Sequence, residues 1–82
     1  MRKRGEICNL AELTVGQRAK VLKLNEQDRR IRRHLLDMGI TRTVEIKIKK
    51  TTPMGDPIDI QLRDYELCLG KNDLLKIEVE VL

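Results

Sequence analysis

Three side chains in this sequence have the chemistry to ligate a transition metal or attack an electrophile: Cys8, His34 and Cys68. Thiolate and imidazole are the donors that iron, zinc and copper accept. Their spacing does not prepare such a site. Neither cysteine belongs to a Cys-x-x-Cys pair or a Cys/His cluster, so a structural zinc is not expected. The three would form a centre only if the fold happened to bring them together, and nothing in the sequence requires it. We therefore expect no metal and no cofactor. His34, the single histidine, stands between Arg33 and Leu35 and reads as a helix residue rather than a base. Two free thiols are expected, because a disulfide does not persist in a reducing cytoplasm. A phosphate loop needs Gly-x-x-x-x-Gly-Lys-Ser/Thr. Here Gly70-Lys71 supplies its end, but Tyr65 occupies the first glycine position and Asn72 the hydroxyl position. With no paired-carboxylate motif either, no catalytic residue is assigned and the chain is not expected to be an enzyme.

The remaining chemistry is charge. Arg29, Arg30, Arg32 and Arg33 fall within five positions. Residues 1–50 carry 14 Lys and Arg against 6 Asp and Glu, and residues 51–82 carry 3 against 7, so +8 and −4 make up the net +4. Such a distribution orients a protein against a charged partner. A small basic barrel gripping nucleic acid phosphates through the Arg-rich helix is one alternative. Against it stand the acidic C-terminal third and the lone aromatic, Tyr65, which provides almost no stacking platform. The same shortage excludes the aromatic groove in which SH3 domains bind polyproline. No nucleic acid partner is expected.

A chain of 82 residues makes one domain. It buries only about 60–65% of its unfolded surface, which leaves little area for a deep cleft. Apolar runs are short, such as Val21-Leu22 and Leu35-Leu36, where a membrane span needs about 20 residues. No apolar stretch follows Arg2-Lys3-Arg4, so a signal peptide is not expected. The expected location is the cytoplasm, without membrane insertion.

The pattern predicts a lead-in over residues 1–9, loosely ordered, and a folded domain over 10–82. Ala19 to Leu24 reads as a first strand. Asn25 is placed to cap a helix of about three to four turns, with Ile31, Leu35 and Met38 as its apolar stripe, widened by Leu36, and Gly39 as its end. Beyond it the alternation has period two: Val44, Ile46 and Ile48; Ile58, Ile60 and Leu62; Leu67 and Leu69 after a turn at Asp64; Ile77, Val79 and Val81. Thr51 to Pro57, with two prolines and a glycine, reads as a hairpin loop. Lys71 to Leu74 is expected to form a single helical turn. Mostly-β, with about five strands and one helix after the first, is the expected class. Curling into a small barrel would hide the apolar faces and limit open edges.

From Leu10 to Val81 the chain resembles the ferrous iron transport protein A (FeoA) family. The resemblance rests on Leu10, Leu13 and Gly16; on Leu35, Met38, Gly39 and Ile40 closing an Arg-rich helix; on Gly55-Asp56-Pro57-Ile58; and on Leu67, Leu69, Ile77 and Val79. Three positions depart from it. Arg42-Thr43 stands where the family usually has Pro-Gly, Asp64 where a turn glycine is common, and Gly70 where an arginine is usual. The resemblance implies an SH3-like barrel without enzymatic activity that docks to the cytoplasmic part of FeoB, the membrane-embedded, GTP-binding iron transporter. The same domain type closes metal-dependent repressors related to the diphtheria toxin repressor, so a stand-alone relative of that C-terminal domain is the other alternative. Weak self-association is left open. Two candidate partner surfaces follow: the loop Met54, Gly55, Asp56 and Pro57, with Met54 as an insertable tip, and the helix face of Arg29, Arg30 and Arg33. The competing expectation for the loop is that Met54 covers the barrel end.

Overall fold

The computed structural model describes residues 2–82. Among them are β1 (Ile7–Asn9), β2 (Arg18–Leu24), β3 (Glu45–Thr51), β4 (Ile58–Leu62), β5 (Tyr65–Leu69) and β6 (Ile77–Val81). All pair antiparallel in one sheet, in the order β1-β6-β2-β3-β4-β5. A 3-10 turn, Leu10–Glu12, follows β1. Helix α1 (Arg29–Asp37) joins β2 to β3, and the short α2 (Lys71–Leu74) joins β5 to β6.

The period-two alternation sends Ala19, Val21, Val44, Ile46, Ile48, Ile58, Ile60, Leu62, Ile77, Val79 and Val81 inward, and all are buried. The two end strands feed the same core, Cys8 from β1 and Leu69 from β5. That is the result of curling one sheet into a barrel, and the architecture is SH3-like, as expected. Register slips between Val21 and Lys23 on β2, and between Ile48 and Lys50 on β3, bend the strands. Such irregularities raise the local twist and help a small sheet curl.

The structure has six strands rather than about five. The additional one, β1, lies inside the segment read as a loosely ordered lead-in. Three residues are too few to display an alternation, and β1 exists through its pairing: Ile7, Cys8 and Asn9 lie opposite Glu80, Val79 and Glu78. Gln17, buried, ties the segment down further by donating from Nε2 to the Arg2 carbonyl at 2.8 Å.

Helix α1 is also shorter than expected, nine residues or about two and a half turns. Its N-cap is Asp28, whose Oδ1 accepts from Arg30 N at 2.9 Å. Asn25 does not cap it: its backbone N–H donates to the Lys76 carbonyl at 2.6 Å, which keeps Asn25 with the sheet, three residues before the cap. The C-terminal end follows the expected rule. Gly39 takes φ +98°, its N–H donates to the Leu36 carbonyl at 3.0 Å, and Ile40 N donates to the Leu35 carbonyl at 3.0 Å. This is a Schellman ending, with buried Leu35 and Ile40 as its apolar pair. Tyr65 Oη donates to the Met38 carbonyl at 2.5 Å, and a Cβ at Gly39 would collide with that hydroxyl. Glycine is required here for both backbone and space.

Two other left-handed positions lack glycine. Thr43 has φ +74° and Arg63 φ +50°. Thr43 is held there because its N–H donates to the Val21 carbonyl at 2.8 Å, while Val21 N donates to the Val44 carbonyl at 2.9 Å. Such a conformation costs about 1–3 kcal/mol in a non-glycine residue. In the β4–β5 hairpin the positive φ falls on Arg63, the first turn residue, and not on Asp64, where the family pattern commonly has a turn glycine.

Candidate partner-binding surfaces

The hairpin tip is built by its own polar atoms. Gly55 N donates to the Thr52 carbonyl at 2.8 Å. Thr52 Oγ1 donates to the Asp56 carbonyl at 3.0 Å and lies 2.9 Å from the Asp56 N–H, which donates to it. The Asp56 carboxylate then reaches across and accepts from Lys71 N, the first residue of α2, at 2.8 Å. Gly70, the residue before α2, has no side chain to cap it, so Asp56 does so from another segment. Gly55, Asp56 and Pro57 thus shape and anchor the loop, and Asp56–Pro57 is cis. Met54 is the large apolar side chain of the loop that is presented, 91% exposed, and Asp56 and Pro57 beside it are exposed too. Met54 does not cover the barrel end.

The arginine surface is open as well. Arg30 Nε lies 3.9 Å from Asp28 Oδ1 and Arg33 Nε 4.0 Å from Asp37 Oδ2, with both arginines more than four-fifths exposed. Ion pairs this loose and wet contribute at most about 1 kcal/mol, so both remain available to a partner. Arg29, Arg30, Arg33, His34 and Asp37 rim a shallow depression of about 430 Å³. The apolar stripe is less buried than its spacing suggested. Leu35 enters the core and Met38 packs against it, while Ile31 and Leu36 stay exposed. Only the last turn of α1 reaches the barrel.

A second depression is lined by Asp28, Arg30, Ile31 and His34 of α1 and its cap together with Asp73 of α2. The two surfaces named from sequence therefore both border α2, one through Asp56 at Lys71 and the other through Asp73. This neighbourhood is not legible in the sequence, because Asp56 reads as a turn residue until its partner is known.

The candidate metal ligands are not brought together. Among the described residues no group of three His, Cys, Asp or Glu side chains is placed to hold an ion. Cys8 and Cys68 are free and lie on β1 and β5, the two ends of the strand order. His34 is exposed on α1. Burial pushes the Cys8 thiol above its ordinary value. At Cys68 a hydrogen bond with the Asp59 carboxylate does so first, followed by desolvation. Both thiols stay protonated near neutral pH, the unreactive form. Sequence reasoning missed a cationic cluster on the outer sheet face, Arg18, Lys47 and Arg63, whose members come from three separate strands or turns. No helix among the described residues is long and apolar enough to cross a membrane.

Comparison with known proteins agrees with this geometry. The FeoA domain family matches residues 8–81. An Fe(2+) transport protein A/Fe(2+) transporter FeoB fusion protein of Porphyromonas gingivalis is 32% identical over 73 residues, which are 89% of this chain and 8% of that much longer protein. A FeoA-like protein of Clostridium acetobutylicum, solved by NMR, superposes with a TM-score of 0.83 at 40% identity, covering 99% of this chain and 91% of the other. A zinc-complexed FeoA of Stenotrophomonas maltophilia, an SH3-domain protein, superposes with a TM-score of 0.77 over 88% of each chain; at 21% identity it speaks to the fold alone. With its six-stranded barrel, its Schellman-ended helix and a family match from Cys8 to Val81, this chain belongs to the FeoA family.

Proposed function

We propose that this chain is a non-catalytic cytoplasmic accessory of ferrous iron uptake that docks to the cytoplasmic part of the transporter FeoB. The observation that carries this reading is the Porphyromonas gingivalis relative, in which the matching stretch and FeoB are one polypeptide. Fusion keeps two modules at high effective concentration, and a separate chain needs a surface to do the same work. The docking surface is the pair that borders α2. Met54 offers an apolar anchor of the kind that fills a partner pocket. Exposed Arg29 and the loosely paired Arg30 and Arg33 offer positive charge to an acidic partner.

Capture of full-length FeoB by the tagged protein tests the reading. Wild type should retain the transporter, and Met54→Ala and Arg30→Glu should each reduce retention about tenfold, the effect of losing one interface anchor. Both side chains are exposed, so folding is preserved and circular dichroism should be unchanged. Wild-type protein that fails to retain the intact transporter overturns the docking reading. Retention that both variants leave intact overturns the surface while preserving the partner.

A further inference from the structure

On the outer face of the sheet, the register sets like charge against like. Arg18 on β2 lies directly opposite Lys47 on β3, and Lys47 lies opposite Gln61 on β4. Two cations facing each other across neighbouring strands repel. Arg63, just beyond β4, joins Arg18, Lys47, Thr43, Gln61 and Glu45 around a depression of about 510 Å³. The lining holds three cations against one carboxylate, with a hydroxyl and an amide as further donors. The carboxylate is loosely engaged. Glu45 Oε2 is 3.5 Å from Arg18 Nη1, with both side chains more than half exposed. Lys20 stands directly opposite Glu45 in the register, a second cation to which it can turn. Thr43 and Arg63 are, besides, the non-glycine residues with positive φ among those described. Strained backbone is concentrated at ligand sites, where it holds groups in place before binding.

We propose that this depression binds the phosphate or diphosphate group of a small soluble molecule, with Arg18, Lys47 and Arg63 on its oxygens and Glu45 turned toward Lys20. Guanidinium donors match phosphate oxygens in pairs; the strand register sets Arg18 and Lys47 on one face, and Arg63 from the turn after β4 lines the same depression. The surroundings select a compact anion. Glu66 lies opposite Gln61 and Glu80 opposite Lys20. An extended anionic surface such as a bilayer would meet these carboxylates, while a single phosphate group between them would not.

Titration of the isotope-labelled intact protein with inorganic pyrophosphate, followed by NMR at constant ionic strength, tests this. Saturable shifts centred on Arg18, Thr43, Lys47 and Arg63 are expected. Arg18→Gln and Lys47→Gln should each weaken binding about tenfold, the size of one lost charge-assisted hydrogen bond. Glu45→Gln should tighten it about threefold by removing the competing carboxylate. Lys76→Gln, away from the depression, should change nothing. Should one of the variants fail to fold, the others carry the same comparison. No saturation below about 10 mM pyrophosphate overturns the proposal. So do shifts spread over the arginines of α1, a Glu45→Gln variant that binds no tighter, or phosphatidylglycerol vesicles bound in preference to pyrophosphate.

Discussion

In the barrel, Ile46, Ile60, Leu62, Ile77 and Val79 show no exposure to solvent, whereas α1 buries Leu35 and leaves Ile31 41% and Leu36 42% exposed. The two regions carry similar aliphatic side chains and use them differently. A chain this small has few large side chains to spare from its core, yet α1 leaves two of them at the surface beside two loosely paired arginines, Arg30 and Arg33. Stability is concentrated in the sheet, and the helix keeps one anchored turn and an open remainder. That division suits the docking role proposed above, which calls for a firm frame and a face whose groups are not already committed.

The largest expected effect sharpens this contrast. Ile60→Ala removes a fully buried side chain from β4 and should lower stability by roughly 2–5 kcal/mol, a large share of the roughly 5–10 kcal/mol of a domain this size. Ile31→Ala on α1 should lower it by less than about 1 kcal/mol. Urea unfolding measures both. Equal losses would show α1 to be part of the cooperative core and would remove the contrast.

A smaller effect of opposite sign is expected where the regions meet. Thr43 joins the end of α1 to β3 and is held at φ +74°, in a place where the family pattern has glycine. Thr43→Gly relieves the left-handed strain and should stabilise by about 1 kcal/mol, raising the melting temperature by about 4–8 °C. A melting temperature that falls instead would mean that contacts of the threonine side chain outweigh the strain. The variant should also weaken pyrophosphate binding through loss of the hydroxyl, so the strained residue would be exchanging stability for a ligand.

The same contrast separates what the sequence shows from what it hides. Val44, Ile46 and Ile48, or Ile77, Val79 and Val81, alternate because one face is buried, and burial imposes the period that a reader sees. Leu35, Gly39 and Ile40 were legible because a helix ending of this type needs an apolar pair around a left-handed residue. Where burial does not decide, the signal fails. Asn25 and Asp28 are both competent caps, and Asn25 is kept with the sheet by its backbone N–H bond to the Lys76 carbonyl. Ile31 and Leu36 have core spacing, but the barrel end accommodates only one turn of helix. Asp64 stands where a turn glycine is common, yet the left-handed residue of that turn is its neighbour Arg63. Of the site, Met54 and the arginines were visible as exposed types. Their common border on α2 was not, and neither was the cluster of Arg18, Lys47 and Arg63, because each depends on register between distant segments.

The smallest effect concerns β1, which belongs to the barrel but is secured from outside. Glu12 Oε2 accepts from Asn9 N at 3.1 Å, and its other oxygen is paired with Arg2, which also reaches Glu6. The backbone hydrogen bond first, and then Arg2, hold the Glu12 carboxyl below its ordinary value. A carboxyl lowered in the folded state contributes stability that is fully present above its unfolded value, about 4.3, and is lost as pH falls through the lower folded value. Glu12 is surface-exposed, so screening keeps the contribution small and local. Amide exchange at Ile7 to Asn9 should therefore be slower in wild type than in Glu12→Gln at neutral pH, and the two should converge in acid below the folded value. If they differ equally at both ends of the range, the carboxylate charge is not what holds the edge strand. β1 would then be secured by its pairing with β6 and the burial of Cys8 and Leu10, under the same rule as the rest of the barrel.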